Sequence, residues 1–157
     1  MFGKKSGYDI FLGGTWNGST WRDKFINEMK KKNSKIKCFN PIVDKWTPEC
    51  IELENFVKSH AKYHVYVLTP RMQGVYSIAE MVDSVHDSNK KVFIYIDKSD
   101  IDDFGKVVIW DIKMLNSLNA VFNLVVSHGG IGADSFDDLI DKIVADYKST
   151  PIERMHR

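Results

Sequence analysis

The 157-residue sequence has little of several features that mark specialised protein classes. Its two cysteines, Cys38 and Cys50, are too few for a disulfide framework, and a reducing compartment accounts for them most simply. No apolar run approaches the length of a membrane span, and the N-terminus lacks the apolar core of a secretory signal peptide. We therefore expect a cytoplasmic protein without a membrane partner.

The charge balance also lacks an excess of one sign, since the formal net charge is +1. Proteins that bind nucleic acid usually carry a clustered basic surface. The main basic concentration, from Lys30 to Lys37, suits a solvated helix end. The histidines and cysteines show no zinc-ligand spacing, so we expect neither a metal site nor a nucleic-acid polymer as partner.

Short apolar strands alternate with amphipathic helices along the chain. Hydrophobic residues make up 43% of the sequence and charged residues 27%, which is typical of a globular protein. We predict strands at 8–12, 36–39, 64–68, 92–96 and about 121–126. Helices are expected between and after them, and the segment 97–119 is expected to hold a loop and one short helix.

This alternation predicts an α/β fold in which helices cover both faces of a five-stranded parallel sheet. The length suits a single domain over residues 1–157. In such folds, ligands bind beyond the carboxyl ends of the strands. The rule selects four segments as walls of a site: 13–19, 40–46, 69–80 and the stretch before the fifth strand.

The segment FLGGTWNGSTWRD follows the first strand and suits a polar ligand. Gly13 and Gly14 allow a tight turn and a close approach of the backbone to the ligand. The amides and hydroxyl groups that follow, including Thr15, suit a phosphate or a sugar hydroxyl near a helix N-terminus. The segment matches neither a P-loop nor the dinucleotide-binding fingerprint. An ordinary strand–helix turn is the alternative.

The segment NPIVDKWTPE follows the second strand. Asp44 and Trp46 lie where a loop reaches the cleft of such a fold. A tryptophan face can stack on a heterocyclic base while a carboxylate hydrogen-bonds the edge of that base. The alternative is a surface loop with a capping acid.

The segment TPRMQGVYSIAEMV places Glu80 on the first turns of the helix after the third strand. Ile78, Met81 and Val82 cover the core side of that helix, so Glu80 is predicted to point toward the site. A carboxylate can attack an anomeric carbon and form a covalent glycosyl intermediate. Ser77, one turn earlier, could orient it. By spacing alone, an ordinary solvated glutamate is the alternative.

Together these segments resemble the nucleoside 2-deoxyribosyltransferase-like proteins, whose superfamily also contains the 2′-deoxynucleoside 5′-monophosphate N-glycosidases. The resemblance rests on FLGGTWNGSTWRD, FNPIVDKWTPE, YVLTPRMQGVYSIAE and LNAVFNLVVSHGG, and spans about residues 8–130. It implies a flavodoxin-like three-layer sandwich with strand order 2-1-3-4-5, assembled as a homodimer or larger homo-oligomer. It also implies that Glu80 attacks C1′ of a deoxyribose, with Ser77 three residues before it.

The resemblance assigns the other site residues to parts of the substrate. The glycine-rich turn would face the sugar and its 5′ end, and the loop after the second strand would face the base. A polar residue before the fifth strand, Asn119 or alternatively Asn116, would cross into a partner's site. The predicted substrate-binding residues are Gly13, Gly14, Thr15, Trp16, Asn17, Asn40, Pro41, Trp46, Thr69, Gly74, Tyr76 and Asn119.

Two acids that are common in the family are missing. Gly74 stands where many transferases carry an aspartate, six residues before the nucleophile. The stretch 61–64 lacks the Ala-Asp pair that often begins the third strand. Those acids bind the base or transfer protons, so we predict Asp44 or a water as the proton donor.

The sequence therefore predicts cleavage or transfer at the N-glycosidic bond of a 2′-deoxynucleoside or its 5′-monophosphate. Glu80 is the predicted nucleophile, and no cofactor is needed because protonation activates the leaving base. Two alternatives stay open. A glycohydrolase of an NAD-like nucleotide, as in TIR-type domains, shares the sheet topology and also uses a glutamate on a helix. A non-catalytic nucleotide-binding module would account for the missing acids.

Overall fold

The computed structural model describes residues 7–150. Its strands, numbered along the chain, are β1 (Ile10–Gly14), β2 (Cys38–Phe39), β3 (Tyr63–Leu68), β4 (Lys91–Ile96), β5 (Ser99–Ile101), β6 (Val107–Ile109) and β7 (Ile131–Ala133). Its helices are α1 (Trp21–Lys32), α2 (Pro48–His60), α3 (Tyr76–Val85), α4 (Ile112–Ser127) and α5 (Phe136–Lys148). The single domain over 1–157 stays a prediction, and its two ends lie outside the described residues. Residues 1–6, on which the expectation of no signal peptide mainly depends, also lie outside the described residues.

Five strands form a parallel sheet in the order β2-β1-β3-β4-β7. Counted over the strands of this sheet, the order is 2-1-3-4-5, so the predicted α/β class and flavodoxin-like topology are confirmed. β3 lies at the centre, and all six of its residues are buried. A parallel strand covered on both faces requires such a continuous apolar run.

Helices cover both faces of the sheet. Because successive strand residues point to opposite faces, Val65 of β3 joins a core cluster with Phe25 of α1 and Ile143 of α5. Tyr66 joins a second cluster, on the other face, with Met81 of α3 and with α4. α2 packs beside them, over β1 and β2. Within residues 7–150, none of the helices combines the length and apolar character needed to cross a membrane.

The predicted position of the fifth strand is wrong. Residues 121–126 form the last turns of α4, and the strand that completes the sheet is β7, five residues later. Asp111 caps the N-terminus of α4, where its side chain accepts hydrogen bonds from two backbone amides of the first turn. Leu118 and Val125, seven residues apart, are buried on the inner side of this helix. Packing at helical spacing therefore overrides the strand preference of the β-branched residues.

The segment predicted to hold a loop before that helix contains an antiparallel hairpin, formed by β5 and β6. Phe104 at its tip is 88% exposed. The backbone amide of Asp102 pairs with the Lys106 carbonyl across the turn (2.9 Å). The hairpin matters for the site because the Asp100 carboxylate on β5 accepts hydrogen bonds from Ser19 and Thr69, which lie in two loops at the carboxyl edge of the main sheet.

Candidate active site

A cleft of about 460 Å³ opens beyond the carboxyl ends of β1 and β3. This is the edge of the sheet at which ligands bind in doubly wound folds. Its walls come from the turn after β1, the loop after β2, and helices α1, α2 and α3 with the loop before α3. The lining residues are Phe11, Gly13, Gly14, Thr15, Trp16, Asn17, Arg22, Pro41, Ile42, Glu54, Met72, Gln73, Gly74, Tyr76, Ser77 and Glu80.

The cleft brings together ten of the fifteen residues predicted for the site. Three of the four segments selected as walls contribute to it; the stretch before the fifth strand does not. The ten residues are Gly13, Gly14, Thr15, Trp16, Asn17, Pro41, Gly74, Tyr76, Ser77 and Glu80.

The other five predicted residues are not part of the lining. Asp44 and Trp46 are exposed in the loop after β2, and Trp46 keeps 63% of its surface. Asn40 begins the same loop, where its side-chain oxygen accepts a local hydrogen bond from a backbone amide. Thr69 is buried at the end of β3. Asn119 is exposed on α4, which does not line the cleft.

Glu80 lies on the second turn of α3, and its side chain is only 12% exposed. Its Oε2 forms an ion pair with the ammonium group of Lys58 on α2. This ion pair is the contact that the described residues provide to the buried Oε2.

Lys58 links two carboxyl groups in the cleft. Besides its contact with Glu80, its Nζ lies 3.8 Å from Oε1 of Glu54, one turn earlier on α2. The same ammonium lies 5.2 Å from the ring centroid of Phe11 and 5.9 Å from that of Tyr76. These distances allow cation–π attraction, which holds the lysine against the aromatic wall of the cleft.

Glu54 is a lining residue that the sequence did not reveal. Its side chain is 33% exposed. Burial raises the pKa of this carboxyl above its ordinary value, the Lys58 ammonium opposes that shift, and the charge of Glu80 adds to it. The sequence predicted only a helix between the second and third strands and assigned no site residue to it, so Glu54 drew no prediction.

The turn after β1 is fixed by its backbone conformation. Gly14 has a φ of +115°, which L side chains rarely adopt. A Cβ atom at this position would lie 2.1 Å from the Val67 carbonyl oxygen on β3. The glycine therefore lets the chain turn directly beside the neighbouring strand.

Arg22 holds the same turn from α1. Its guanidinium, 5% exposed, donates hydrogen bonds to the carbonyls of Leu12 (3.2 Å), Gly14 (3.2 Å) and Thr15 (2.7 Å). Burial lowers the pKa of Arg22 to about 10, and the charges of Glu80 and Glu54 oppose the shift. The sequence analysis missed this residue, although its spacing of three and seven from Phe25 and Met29 would have placed it on the buried face of α1.

A threonine pair and Asp100 connect the turn after β1 to the loop after β3. Thr15 donates to the Thr69 carbonyl (3.4 Å) and accepts from the Thr69 amide (2.7 Å). The Asp100 carboxylate accepts from the hydroxyl groups of Thr69 (2.5 Å) and Ser19 (2.6 Å). Asn17 donates to the Arg71 carbonyl (3.0 Å). The two loops therefore form one connected wall.

A model of the nucleoside 2-deoxyribosyltransferase-like family matches residues 7–99, which is more than half of the chain. The chain belongs to this family. No curated protein and no solved structure matches it. The matched range contains every residue that lines the cleft, whereas Asp100 and α4 lie beyond it.

In this nucleoside 2-deoxyribosyltransferase-like protein, the cleft offers two carboxyl groups, one guanidinium group and exposed aromatic rings, and the Lys58 ammonium contacts both carboxyl groups. The rings of Trp16 and Tyr76 are largely exposed to solvent at its rim. In the part of the chain from 7 to 150, no three His, Cys, Asp or Glu side chains are grouped to hold a metal ion. Such a set of side chains suits nucleophilic attack by a carboxylate, proton transfer and the packing of a planar base.

Proposed function

We propose that this protein cleaves or transfers at the N-glycosidic bond of a 2′-deoxynucleoside or its 5′-monophosphate, with Glu80 as the nucleophile. The observation that carries the proposal is the position of Glu80. Its carboxylate lines the same cleft as the turn formed by residues 13–17, in a member of the nucleoside 2-deoxyribosyltransferase-like family. A nucleophile and a wall for the sugar are thus within one cavity.

In the proposed mechanism, a carboxylate oxygen of Glu80 attacks C1′ of the deoxyribose. The bond from C1′ to the base nitrogen breaks, its electron pair leaves with the base, and a proton is added to the base. A second base or a water then attacks C1′ and releases the carboxylate. Ser77, one turn earlier in the cleft, and Lys58 orient Glu80 for this attack.

The substrate is proposed to lie with its sugar and 5′ end toward Gly13, Gly14, Thr15 and Asn17. Trp16, Gly74 and Tyr76 are proposed to border the sugar and the base. The loop after β2, with Asn40, Pro41 and Trp46, is proposed to cover the base. Thr69 supports the turn through its bonds to Thr15. Asp44 stays a candidate proton donor, and its exposed loop must close over the base for it to act.

Two further proposals concern the assembly and the cellular location of the protein. We propose that it acts as a homodimer or larger homo-oligomer, in which Asn119 reaches a partner's site. The exposed apolar residues Phe104, Val107, Ile109 and Ile112 on the hairpin and at the start of α4 support an assembly surface near that residue.

We also propose a cytoplasmic location. Its cysteines are free, and burial raises the pKa of the Cys38 thiol to about 12, as suits an unreactive thiol.

The central test is Glu80→Ala, assayed by base release from 2′-deoxynucleosides and their 5′-monophosphates. Because the nucleophile is lost, we expect turnover to fall by about 10³-fold or more. Asp83→Ala is the matched control, since Asp83 is an exposed acid one turn later on α3 and does not line the cleft. Thermal unfolding of both variants checks that the fold is intact.

Three outcomes would contradict the proposal. Turnover by Glu80→Ala at the wild-type rate would show that Glu80 is not the nucleophile. Release of nicotinamide from NAD without deoxynucleoside cleavage would favour the alternative glycohydrolase. Tight binding of an intact nucleotide by an inactive wild-type protein would favour a binding module. Adding a free acceptor base separates transfer from hydrolysis, because only transfer yields a new nucleoside.

A further inference from the structure

The proposed reaction needs a group that gives a proton to the departing base. The two aspartates that are common in the family are absent, since Gly74 and the stretch 61–64 stand in their places. Asp44 is exposed in a loop and is not among the residues that line the cleft. Without a proton, the electron pair of the broken bond would remain on a poorly stabilised anionic base.

Glu54 is a carboxyl group that already lines the cleft, without any movement of a loop. It lies on α2, which packs through Val57 against Phe11 of β1 and Phe39 of β2, on the side of the sheet from which the loop after β2 begins. That side is the one proposed to hold the base. Its Oε1 lies 3.8 Å from the same Lys58 ammonium that contacts Oε2 of Glu80. Two carboxyl groups thus share one cation in one cavity.

We propose that Glu54 is the general acid that protonates the departing base and, in the second half of the reaction, the general base that activates the acceptor. The assignment rests on the proposed function of Glu80. Paired carboxyl groups divide the work in this way in retaining glycosidases, where one attacks carbon and the other transfers the proton.

Glu80 and Glu54 together account for the bonds and the protons that change in both steps of the reaction. In the first step, Glu80 forms an ester bond to C1′, the bond from C1′ to the base breaks, and the proton of the Glu54 carboxyl moves to the base. In the second step, a water or a second base attacks C1′, and its proton moves to the Glu54 carboxylate. The ester bond breaks, and Glu80 becomes a carboxylate again.

The surroundings of Glu54 shift the pKa of its carboxyl upward, which is the direction that a general acid requires. Burial is the largest influence and raises its pKa, and the neighbouring charge of Glu80 acts in the same direction. Lys58 on α2 and Arg22 on α1 act in the opposite direction. A base that fills the cleft removes more water from the carboxyl group and strengthens the dominant influence.

The test compares Glu54→Gln with the wild-type protein on two substrates. The first is 2′-deoxyguanosine, whose base leaves with a proton from the protein. The second is 7-methyl-2′-deoxyguanosine, whose base already carries a positive charge and leaves as a neutral molecule. If only pyrimidines are cleaved, 2′-deoxyuridine and its 5-nitro analogue replace this pair. Glu52→Gln is the control, because Glu52 is an exposed glutamate on the same helix.

For Glu54→Gln, we expect kcat/KM on the ordinary substrate to fall by about 10²-fold or more, as for loss of a general acid. On the activated substrate we expect a change of less than about fivefold, because that base needs no proton. Azide should accelerate turnover of the activated substrate by this variant, since azide attacks C1′ without losing a proton. Glu52→Gln should match the wild type on both substrates.

Two results would overturn the assignment of Glu54. Equal activity of Glu54→Gln and wild type on the ordinary substrate would show that another group supplies the proton. An equal loss on both substrates would indicate a structural role. An inactive wild-type protein on every deoxynucleoside would instead overturn the proposed function, and the role of Glu54 with it.

The pH profile gives a second readout. Because the protonated carboxyl is the active form in the first step, kcat/KM on the ordinary substrate should fall as pH rises through the pKa of Glu54. This alkaline limb should be lost in Glu54→Gln and kept in Glu52→Gln. An unchanged alkaline limb in Glu54→Gln would contradict the assignment.

Discussion

The two walls of the cleft differ in how many hydrogen bonds fix them to the rest of the fold. On one side, the turn after β1 is tied by Arg22 to α1, by the Thr15–Thr69 pair to the loop after β3, and through that loop to Asp100. On the other side, the loop after β2 runs without regular structure from 40 to 47, and its side chains at 42–46 are exposed. One wall is preorganised and the other is open to solvent.

This difference matches the different demands that the proposed reaction makes on the two parts of a nucleoside. Attack at C1′ succeeds only when the sugar is held at the correct distance and angle to the nucleophile, so a fixed wall is an advantage on that side. The base is the part that is released, and in a transfer reaction it is exchanged. An open wall lets one base leave and another enter.

Gly14→Ala should break the fixed wall with the largest effect. The substitution brings a Cβ atom to 2.1 Å from the Val67 carbonyl and keeps a φ that is unfavourable for alanine. We expect a loss of about 3 kcal/mol or more in the free energy of unfolding, measured in urea. Gly74→Ala is the control, because no atom lies within 4 Å of its Cβ position. Similar losses in both variants would contradict the difference between the two positions.

Asp100→Ala should weaken the connection of the fixed wall to the hairpin. The variant leaves the Ser19 and Thr69 hydroxyl groups without their shared acceptor, so we expect a loss of about 1–3 kcal/mol in the free energy of unfolding. Asp103→Ala removes an ion pair in which the carboxylate is 79% exposed, and Arg71 keeps its bonds to the Gly18 and Ile101 carbonyls, so stability should change by less than about 0.5 kcal/mol. An equal effect of both substitutions would show that Asp100 does not support the wall.

Trp46→Ala should leave the fold almost unchanged and test the open wall. Because the indole ring is exposed, we expect the free energy of unfolding to change by less than about 0.5 kcal/mol. If the ring covers the base, KM should rise about fivefold with little change in kcat, as for loss of about 1 kcal/mol of uniform binding. Steady-state kinetics on a deoxynucleoside measure both constants. An unchanged KM would exclude contact with the base.

The parts of the molecule that the sequence predicts well are those whose signals are local. The first three strands of the sheet are short apolar runs, and Gly13–Gly14, Asn40–Pro41 and Thr69–Pro70 stand at or directly after their ends. Their order and the loops that follow could therefore be placed. Glu80 could be placed in the cleft because its helical neighbours Ile78 and Met81 are core residues.

The parts that escaped prediction depend on contacts between distant segments. The run from 121 to 126 reads as a strand by composition, and only its packing through α4 against β4 and β7 makes it a helix. β7 has three residues, too few to show an alternating pattern. Lys58 and Glu54 meet Glu80 only after α2 and α3 pack together, and nothing in their own segment marks that meeting.

The lengths of the outermost strands have a consequence for association between copies. β2 and β7 contribute only two and three residues to the edges of the sheet. Edges this short offer an incoming strand few backbone groups to pair with, which is how natural proteins avoid runaway fibre growth. In the proposed homo-oligomer, side chains on the helices and the hairpin would therefore carry the contact between copies. Contact between copies would then be separate from the strand pairing that leads to open-ended polymerisation.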